Sequence, residues 1–319
     1  MPACAAVVIA GPNLTIDRTL RIAELRPGEV LRFDEAVITP GGKGVNVARL
    51  ARSLGASAVL VGFVPGRTGA AAAALLGDEG VTLRGVDVAG EIRSAAIVLE
   101  RSGRATVMNE PGPALAEGDW SRFERAVADA LPGSRVLACS GSLPPGAPDD
   151  AYGRLVELAR ARGVVSVVDV AGSQLAAALA AGPDVVTPNL AEAEGVLHGR
   201  ADETVEAGSV AVVRSRALAA ARALVERGAL RAVVTAAAAG AATAGVDGSR
   251  WLASPRVSVV RNPIGAGDAL LGGLVVALER GSEFGEAVEF GVACGAASVE
   301  TDTAGVVMAA RVASLVRAV

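Results

Sequence analysis

The sequence predicts an α/β protein of three layers, with helices on both faces of a mostly parallel central sheet and a small β-sheet lid beside it. Three observations carry that expectation. Short apolar runs recur without in-and-out alternation: "AAVVIA" (5–10), "SAVLVGFV" (57–64), "RVLACSG" (135–141), "GVVSVVDV" (163–170), "PDVVTPN" (183–189) and "RAVVTA" (231–236). Segments at helical spacing separate most of them, among them "DWSRFERAVADAL" (119–131), "PDDAYGRLVELARARG" (148–163) and "SRALAAARALVERG" (215–228). Two stretches, 13–38 and 91–109, break this rhythm.

Each element has a physical reason. Strands covered on both faces lose their alternation, because neither face meets water. Gly163 and Gly228 close the helices they follow, as a left-handed residue does at a helix end. Strand alternating with helix gives a parallel sheet, since a helix is what carries the chain back to the same edge. The exceptional stretches hold "LTIDRTLRI" and "EVLRFDEAVI", then "EIRSAAIVLE" and "RATVMN", the last two joined through Ser102-Gly103, a hairpin turn. They read as antiparallel strands of one small sheet, and two insertions that form one sheet make a natural lid over an α/β site. The Ala-rich run "AAAAGAATAG" (236–245) reads as a turn between strands. With no long linker, tandem repeat or low-complexity tail in view, the expectation is one α/β domain over 1–319, with lid insertions at 13–38 and 91–109.

Composition excludes several function classes. Apolar residues make up 51% and aromatics only 3%, so the core must be built from Ala, Val and Leu. Three separated cysteines (Cys4, Cys139, Cys294) form neither a disulfide framework nor a metal spacing. A single histidine, His198, rules out a His-cluster metal site. The net charge of −4 and the lack of a basic block argue against nucleic acid as a partner. No apolar run would span a bilayer, and the first residues lack a basic n-region, so the chain reads as cytoplasmic with no membrane partner. Of 30 basic residues one alone is lysine, Lys43, and it falls between glycines in "TPGGKGVNVARLARSLG" (39–55). A compact ammonium approached by bare backbone suits a phosphate.

Two stretches carry chemistry. In "NPIGAGDALLGGL" (262–274), Gly265, Ala266 and Gly267 can aim several N–H groups one way at the start of an apolar helix, with Asp268 in its first turn. Amides that stabilise a moving phosphoryl group, beside a carboxylate that takes a hydroxyl proton, are what phosphoryl transfer needs. The plainer alternative is a first-turn aspartate favoured by the helix dipole. In the second stretch, Gly41, Gly42 and Gly44 allow close approach, Lys43 adds charge, and Asn46 can bond a sugar hydroxyl; the alternative there is a Gly-rich turn with a solvated lysine. Neither stretch is a Rossmann fingerprint, whose third glycine is here Leu270, nor a P-loop, which needs Ser or Thr where Gly44 follows Lys43.

The pair "GGKGVNVA" and "NPIGAGDA", with "GPNLTIDRTL", "GEVLR" (28–32), "NEPGP" (109–113), "SGSLPPGAP" (140–148) and "PNLAEAE" (188–194), resembles the PfkB (ribokinase-like) family of sugar kinases in its hexose-phosphate branch, over almost the whole chain. The resemblance implies a ribokinase-like fold and ATP-dependent phosphoryl transfer to a ketohexose monophosphate. Fructose 1-phosphate is the first choice, with tagatose 6-phosphate and fructose 6-phosphate as alternatives. It implies Asp268 as base and Gly265, Ala266 and Gly267 as anion hole. It sets Asp17, Gly41, Gly42, Asn46 and Ser140 against the sugar, and Arg32, Lys43 and Arg93 around its phosphate. Asn189 and Glu192 match an N-x-x-E element that helps organise Mg²⁺ at the nucleotide phosphates, with Thr235 and Gly240 on the nucleotide side. It further implies a monovalent cation such as K⁺ and a homodimer formed through the lid. Without the resemblance, Glu192 would read as a solvated helix glutamate.

Three departures from the branch pattern stand out. The lid's usual "TRIN" is "IRSA" (92–95), the basic residue before "PN" is Thr187, and "LGxxG" reads "AAAAG" (236–240), with Ala237 for its first glycine. The last two motivate a rival of another class, a sugar-phosphate or nucleotide sensor that keeps the fold without the activity. A kinase of neutral sugars is a second rival, opposed by the three cations Arg32, Lys43 and Arg93, which a neutral sugar would leave unpaired.

Overall fold

A computed structural model describes residues 7–33, 35–199 and 208–319. Nine strands form the central sheet in the order β13-β12-β11-β10-β9-β8-β1-β4-β5. Its parallel part consists of β1 (Val7–Ala10), β4 (Ala58–Phe63), β5 (Thr82–Val86), β8 (Val136–Ser140), β9 (Val165–Asp169), β10 (Val185–Val186) and β11 (Arg231–Ala236). All six apolar runs are strands of it.

Successive residues of each strand enter opposite cores, as a pleated strand requires. Val8, Ala10, Leu137, Cys139, Val168 and Val234 face one side, where α3 (Asp119–Ala130), α4 (Ala151–Arg160), α5 (Gly172–Ala180), α6 (Leu190–His198) and α7 (Val210–Glu226) pack. Val7, Ile9, Val136, Ala138, Val167 and Val233 face the other, against α1 (Lys43–Ser53), α2 (Gly66–Asp78), α8 (Ala266–Glu279) and α9 (Phe284–Ser298). The three-layer αβα architecture is therefore present. Three of the sparse aromatics, Phe63, Trp120 and Phe123, form one cluster, with the last two rings stacked at 4.9 Å. The C-terminal α10 (Ala309–Val316) packs beside α9 and Leu50.

One expectation about this sheet fails. The Ala-rich run 236–245 is a strand rather than a turn: after a short 3₁₀ turn at Ala237–Ala239, β12 (Gly240–Gly245) pairs antiparallel with β11 and with β13 (Gly248–Ala253). Ala242 and Ala244 fit beneath the alanines of α7 (Ala217, Ala221), where a β-branched side chain would hold the layers apart. The strand thus lacks the residues by which strands are recognised.

The two exceptional stretches form one four-stranded sheet, β3-β2-β6-β7, from β2 (Thr15–Ile22), β3 (Glu35–Gly41), β6 (Arg93–Glu100) and β7 (Ala105–Asn109). It is mixed rather than wholly antiparallel. Each stretch makes its own hairpin pair, but β2 and β6, one from each, run parallel. The expected strand over 29–38 begins only at Glu35, since the chain before it, through Arg32 and Phe33, is loop. Asp34 lies outside the described residues.

Candidate active site

The site is organised by the first turn of α8. Gly265 sits at its N-cap with φ 81°, a left-handed conformation that an L side chain enters at a cost of about 1 kcal/mol or more. The first intrahelical bond to close here runs from the Ala269 N–H to the Gly265 carbonyl at 2.8 Å. The N–H groups of Ala266, Gly267 and Asp268 precede it and have no acceptor within the helix. Gly267 has open space where a Cβ would stand, and it lines two separate cavities.

The first cavity, of about 480 Å³, lies between the small sheet and the C-terminal ends of the central strands. Ligands of open parallel sheets bind at that end. Of the expected residues, Asp17, Gly42, Lys43, Asn46, Arg93 and Ser140 line it, as do Asn189, Glu192, Gly265, Gly267 and Asp268. Two do not. Gly41 stands behind Asp17, where any Cβ would run into the Asp17 carboxylate, so it acts by making room. Arg32 is exposed on the loop before β3, away from the cavity lining.

Charge is concentrated on the floor. Lys43 Nζ lies 3.1 Å from Asp169 Oδ2 and 3.7 Å from Glu192 Oε1. Its ammonium is held well above the usual lysine range, first by the Asp169 charge and against the cost of burial. Asp268 is 7% exposed and accepts a 2.8 Å bond from Asn46 Nδ2. Burial pushes its carboxyl up to about 7, and Lys43 pulls in the other direction. Asn46 is oriented from behind, since Arg49 donates to its Oδ1 at 3.4 Å while being clamped by Glu79 at 2.6 and 2.7 Å and by the Pro40 carbonyl at 2.6 Å. Burial likewise raises the Glu192 carboxyl.

The N-x-x-E element is also a helix cap. The Asn189 side chain accepts from the Glu192 N–H at 2.8 Å, and Glu192 Oε2 accepts from the Asn189 N–H at 2.9 Å, a reciprocal capping box at the start of α6. The cap holds Glu192 in place while its other oxygen faces Lys43. Glu192 is therefore no solvated helix glutamate.

Under the small sheet the cavity changes character. Arg93 donates to the Asn13 carbonyl at 3.2 Å from both Nε and Nη2. Asp17 Oδ1 and Asn13 Oδ1 are buried acceptors without a protein partner, and burial raises the Asp17 carboxyl. Buried acceptors left open on a cavity wall suit a ligand rich in hydroxyl donors.

The second cavity, of about 600 Å³, is bordered by Thr235, Ala237, Ala238 and Gly240 at the β11–β12 turn, by Ser254–Val257 after β13, and by Val292, Ala296 and Val299 of α9 and its end. Thr235 and Gly240 lie where the nucleotide side was expected. Ala237 has φ 43°, the one non-glycine with positive φ among the described residues, and it replaces a family glycine.

Two residues escaped the reading of the sequence. Asp169 ends β9, is 6% exposed, and gathers Lys43, Ser140 Oγ (3.5 Å) and Thr187 Oγ1 (3.4 Å). Its signal was available: a lone carboxylate closes the apolar run "GVVSVVDV" at the strand end where ligands bind. Asn13 has no comparable signal, because its bonds to the Pro111 carbonyl (3.2 Å) and Ser142 Oγ (3.0 Å) join distant parts of the chain.

Comparison with known proteins agrees with this architecture. The model of the pfkB family carbohydrate kinases matches residues 8–309. The chain is 32% identical over 288 residues to ATP-dependent 6-phosphofructokinase isozyme 2 of Escherichia coli (strain K12), covering 89% of each chain. It is 27% identical over 293 residues to 1-phosphofructokinase of Bacillus subtilis (strain 168), covering 92% of each. Phosphofructokinase-2 from Escherichia coli, solved in complex with potassium, superposes with a TM-score of 0.86 at 28% identity, over 98% of this chain and 99% of that one. On fold, on motifs and on this match along nearly its full length, the chain belongs to the pfkB family of carbohydrate kinases.

Proposed function

We propose that the protein transfers the γ-phosphoryl group of ATP to a hydroxyl of a ketohexose monophosphate, with fructose 1-phosphate as first acceptor, the reaction of a 1-phosphofructokinase. The observation that carries this reading is the buried Asp268 carboxylate beside amides at the meeting point of two cavities, one polar and one apolar. The acceptor's hydroxyl would lie against Asp268, which takes its proton as the bond to phosphorus forms, while the 266–268 amides hold the moving phosphoryl oxygens. A carboxyl poised near neutrality suits a general base.

Asp17 and Asn46 would bond sugar hydroxyls, and Arg93 and Lys43 the acceptor's phosphate, with Gly42 and Ser140 close behind. Thr235 and Gly240 would flank the donor. Among the described residues no group of three His, Cys, Asp or Glu gathers to hold a metal, so Mg²⁺ would rest chiefly on donor phosphate oxygens. Asp169 and Glu192 offer it hard carboxylate oxygens, and its chemistry there is charge neutralisation. A monovalent cation is part of the same proposal, since the Escherichia coli relative was solved with potassium.

A second acceptor, fructose 6-phosphate, is supported by the 32% identity to the Escherichia coli 6-phosphofructokinase isozyme 2, against 31% and 27% to two 1-phosphofructokinases. ADP release measured over fructose 1-phosphate, fructose 6-phosphate, tagatose 6-phosphate, fructose and ribose decides between them. The highest kcat/KM is expected on fructose 1-phosphate. Preference for fructose or ribose would overturn the sugar-phosphate reading, and tight binding with no ADP release on any acceptor would favour a sensor.

The same proposal includes a homodimer through the small sheet. Val37 and Ile38 of β3 and Val107 and Met108 of β7 are exposed apolar residues on its two edge strands, and Val30 and Phe33 are exposed on the adjoining loop with Arg32. Ile38→Glu with Met108→Glu should halve the mass measured by light scattering. A cytoplasmic setting fits the free, buried Cys139 and Cys294, and among the described residues no helix is long and apolar enough to cross a membrane.

A further inference from the structure

We infer that Arg256 is the donor-phosphate cation of this protein, a role that the uncharged Thr187 after β10 leaves open. The inference rests on the second cavity being the donor site, as proposed above. Thr187 lies buried at 4% exposure, with its hydroxyl turned to Asp169 Oδ1 at 3.4 Å, so that position offers a donor phosphate no charge. Lys43 does not fill the gap, because Asp169 and Glu192 hold it on the floor of the other cavity. Among the residues lining the second cavity, Arg256 alone is charged.

Its surroundings leave it available. The Arg256 side chain is exposed and has no hydrogen-bond or ion-pair partner among the described residues. By contrast, many arginines of the chain are paired, such as Arg49 with Glu79, Arg154 with Glu124 and Arg311 with Glu300. The segment that carries Arg256 is tied to the turn bordering the cavity, where the Ser254 N–H donates to the Ala239 carbonyl at 3.4 Å. Two residues beyond that tie, Arg256 lines the same cavity as Ala266 and Gly267 of the first turn of α8. An unpaired guanidinium at the rim of an otherwise uncharged cavity is matched by a polyphosphate, which it can bind with two parallel N–H bonds.

The test is equilibrium binding of ATP, ADP and adenosine to the wild type, Arg256→Ala, Arg256→Gln and Arg256→Lys by titration calorimetry. The two neutral variants are expected to weaken ATP and ADP about tenfold or more and to leave adenosine within about twofold, while Arg256→Lys keeps most of the affinity. Adding Thr187→Lys to Arg256→Ala is expected to restore ATP affinity, which a merely structural role for Arg256 would not permit. Unchanged ATP affinity in the neutral variants, or an equal loss for adenosine, overturns the assignment. ADP release with sugar phosphates is read separately. ATP bound tightly through Arg256 without turnover would sink the kinase reading and leave this one, whereas normal turnover with donor affinity indifferent to Arg256 would do the reverse. A wild type that binds no ATP overturns both.

Discussion

The two cavities that share Gly267 are opposites in chemistry. One is lined by Lys43, Glu192 and Asp268, with the buried Asp169 bonded to Lys43, in a polar pocket roofed by the small sheet. The other is lined mostly by Ala, Val, Gly and Pro, with Arg256 as its only charge. The difference teaches where this protein concentrates electrostatic work. Buried carboxylates around one ammonium set each other's protonation, so any change in the first cavity is felt at Asp268. The second cavity has no such network, so changes there should act on binding alone.

The contrast breaks most violently at Asp268. Asp268→Asn keeps an oxygen to accept the bond from Asn46, yet should lower turnover by about 10³-fold or more while ATP binding persists. Near-normal turnover would remove the base from the scheme. Next comes Lys43→Met, which leaves Asp169, Glu192 and Asp268 without their cation. Turnover should fall on the order of 10²-fold, and the acid limb of the pH–rate profile should move upward, because Lys43 now holds the Asp268 carboxyl down. A limb that stays put would uncouple the two residues. In the wild type that limb should stand near pH 7, with turnover dropping about tenfold per unit below it, since the base must be unprotonated.

The same carboxyl shapes stability, with the opposite sense. Asp268 titrates at about 7 in the folded chain against 3.8 as a free side chain, so between those values the folded protein holds a proton that the unfolded one has released. Its contribution is therefore fully present below about pH 4 and lost as pH rises through 7. Asp268→Asn is neutral throughout, so at pH 8 it should be the more stable protein by about 1 to 3 kcal/mol, with the gap closing toward pH 4. Denaturant melts of both proteins at the two pH values measure this. In the second cavity the smallest effect is expected. Ala237→Gly relieves a left-handed alanine and should add about 1 kcal/mol of stability, with the pH–rate profile unmoved. A shifted profile would mean that the cavities are coupled through the β11–β12 turn.

How much of this was legible beforehand differs by element. The runs that became β1, β4, β8, β9, β10 and β11 announced themselves, because strands buried on both faces must be apolar throughout. β12 did not, since its alanines answer to the helix packed above it rather than to any strand preference. Asn189 and Glu192 were legible as a family motif alone, and the structure added that the pair also forms a capping box. Asp169 was visible only as a carboxylate at a strand end, and Gly41 looked like a ligand contact until the Asp17 carboxylate was found against it.

Local sequence determined the first turn of α8, the cap of α6 and the layered α/β order, because helix starts and buried strands depend on residues a few positions apart. Only the tertiary structure decided that Asn46 meets Asp268, that Asp169 and Glu192 share Lys43, and that β2 runs parallel to β6 across two distant insertions. Those pairings join residues tens to hundreds of positions apart. No local pattern encodes them; packing against a common core selects them, and that packing turns separate motifs into one site.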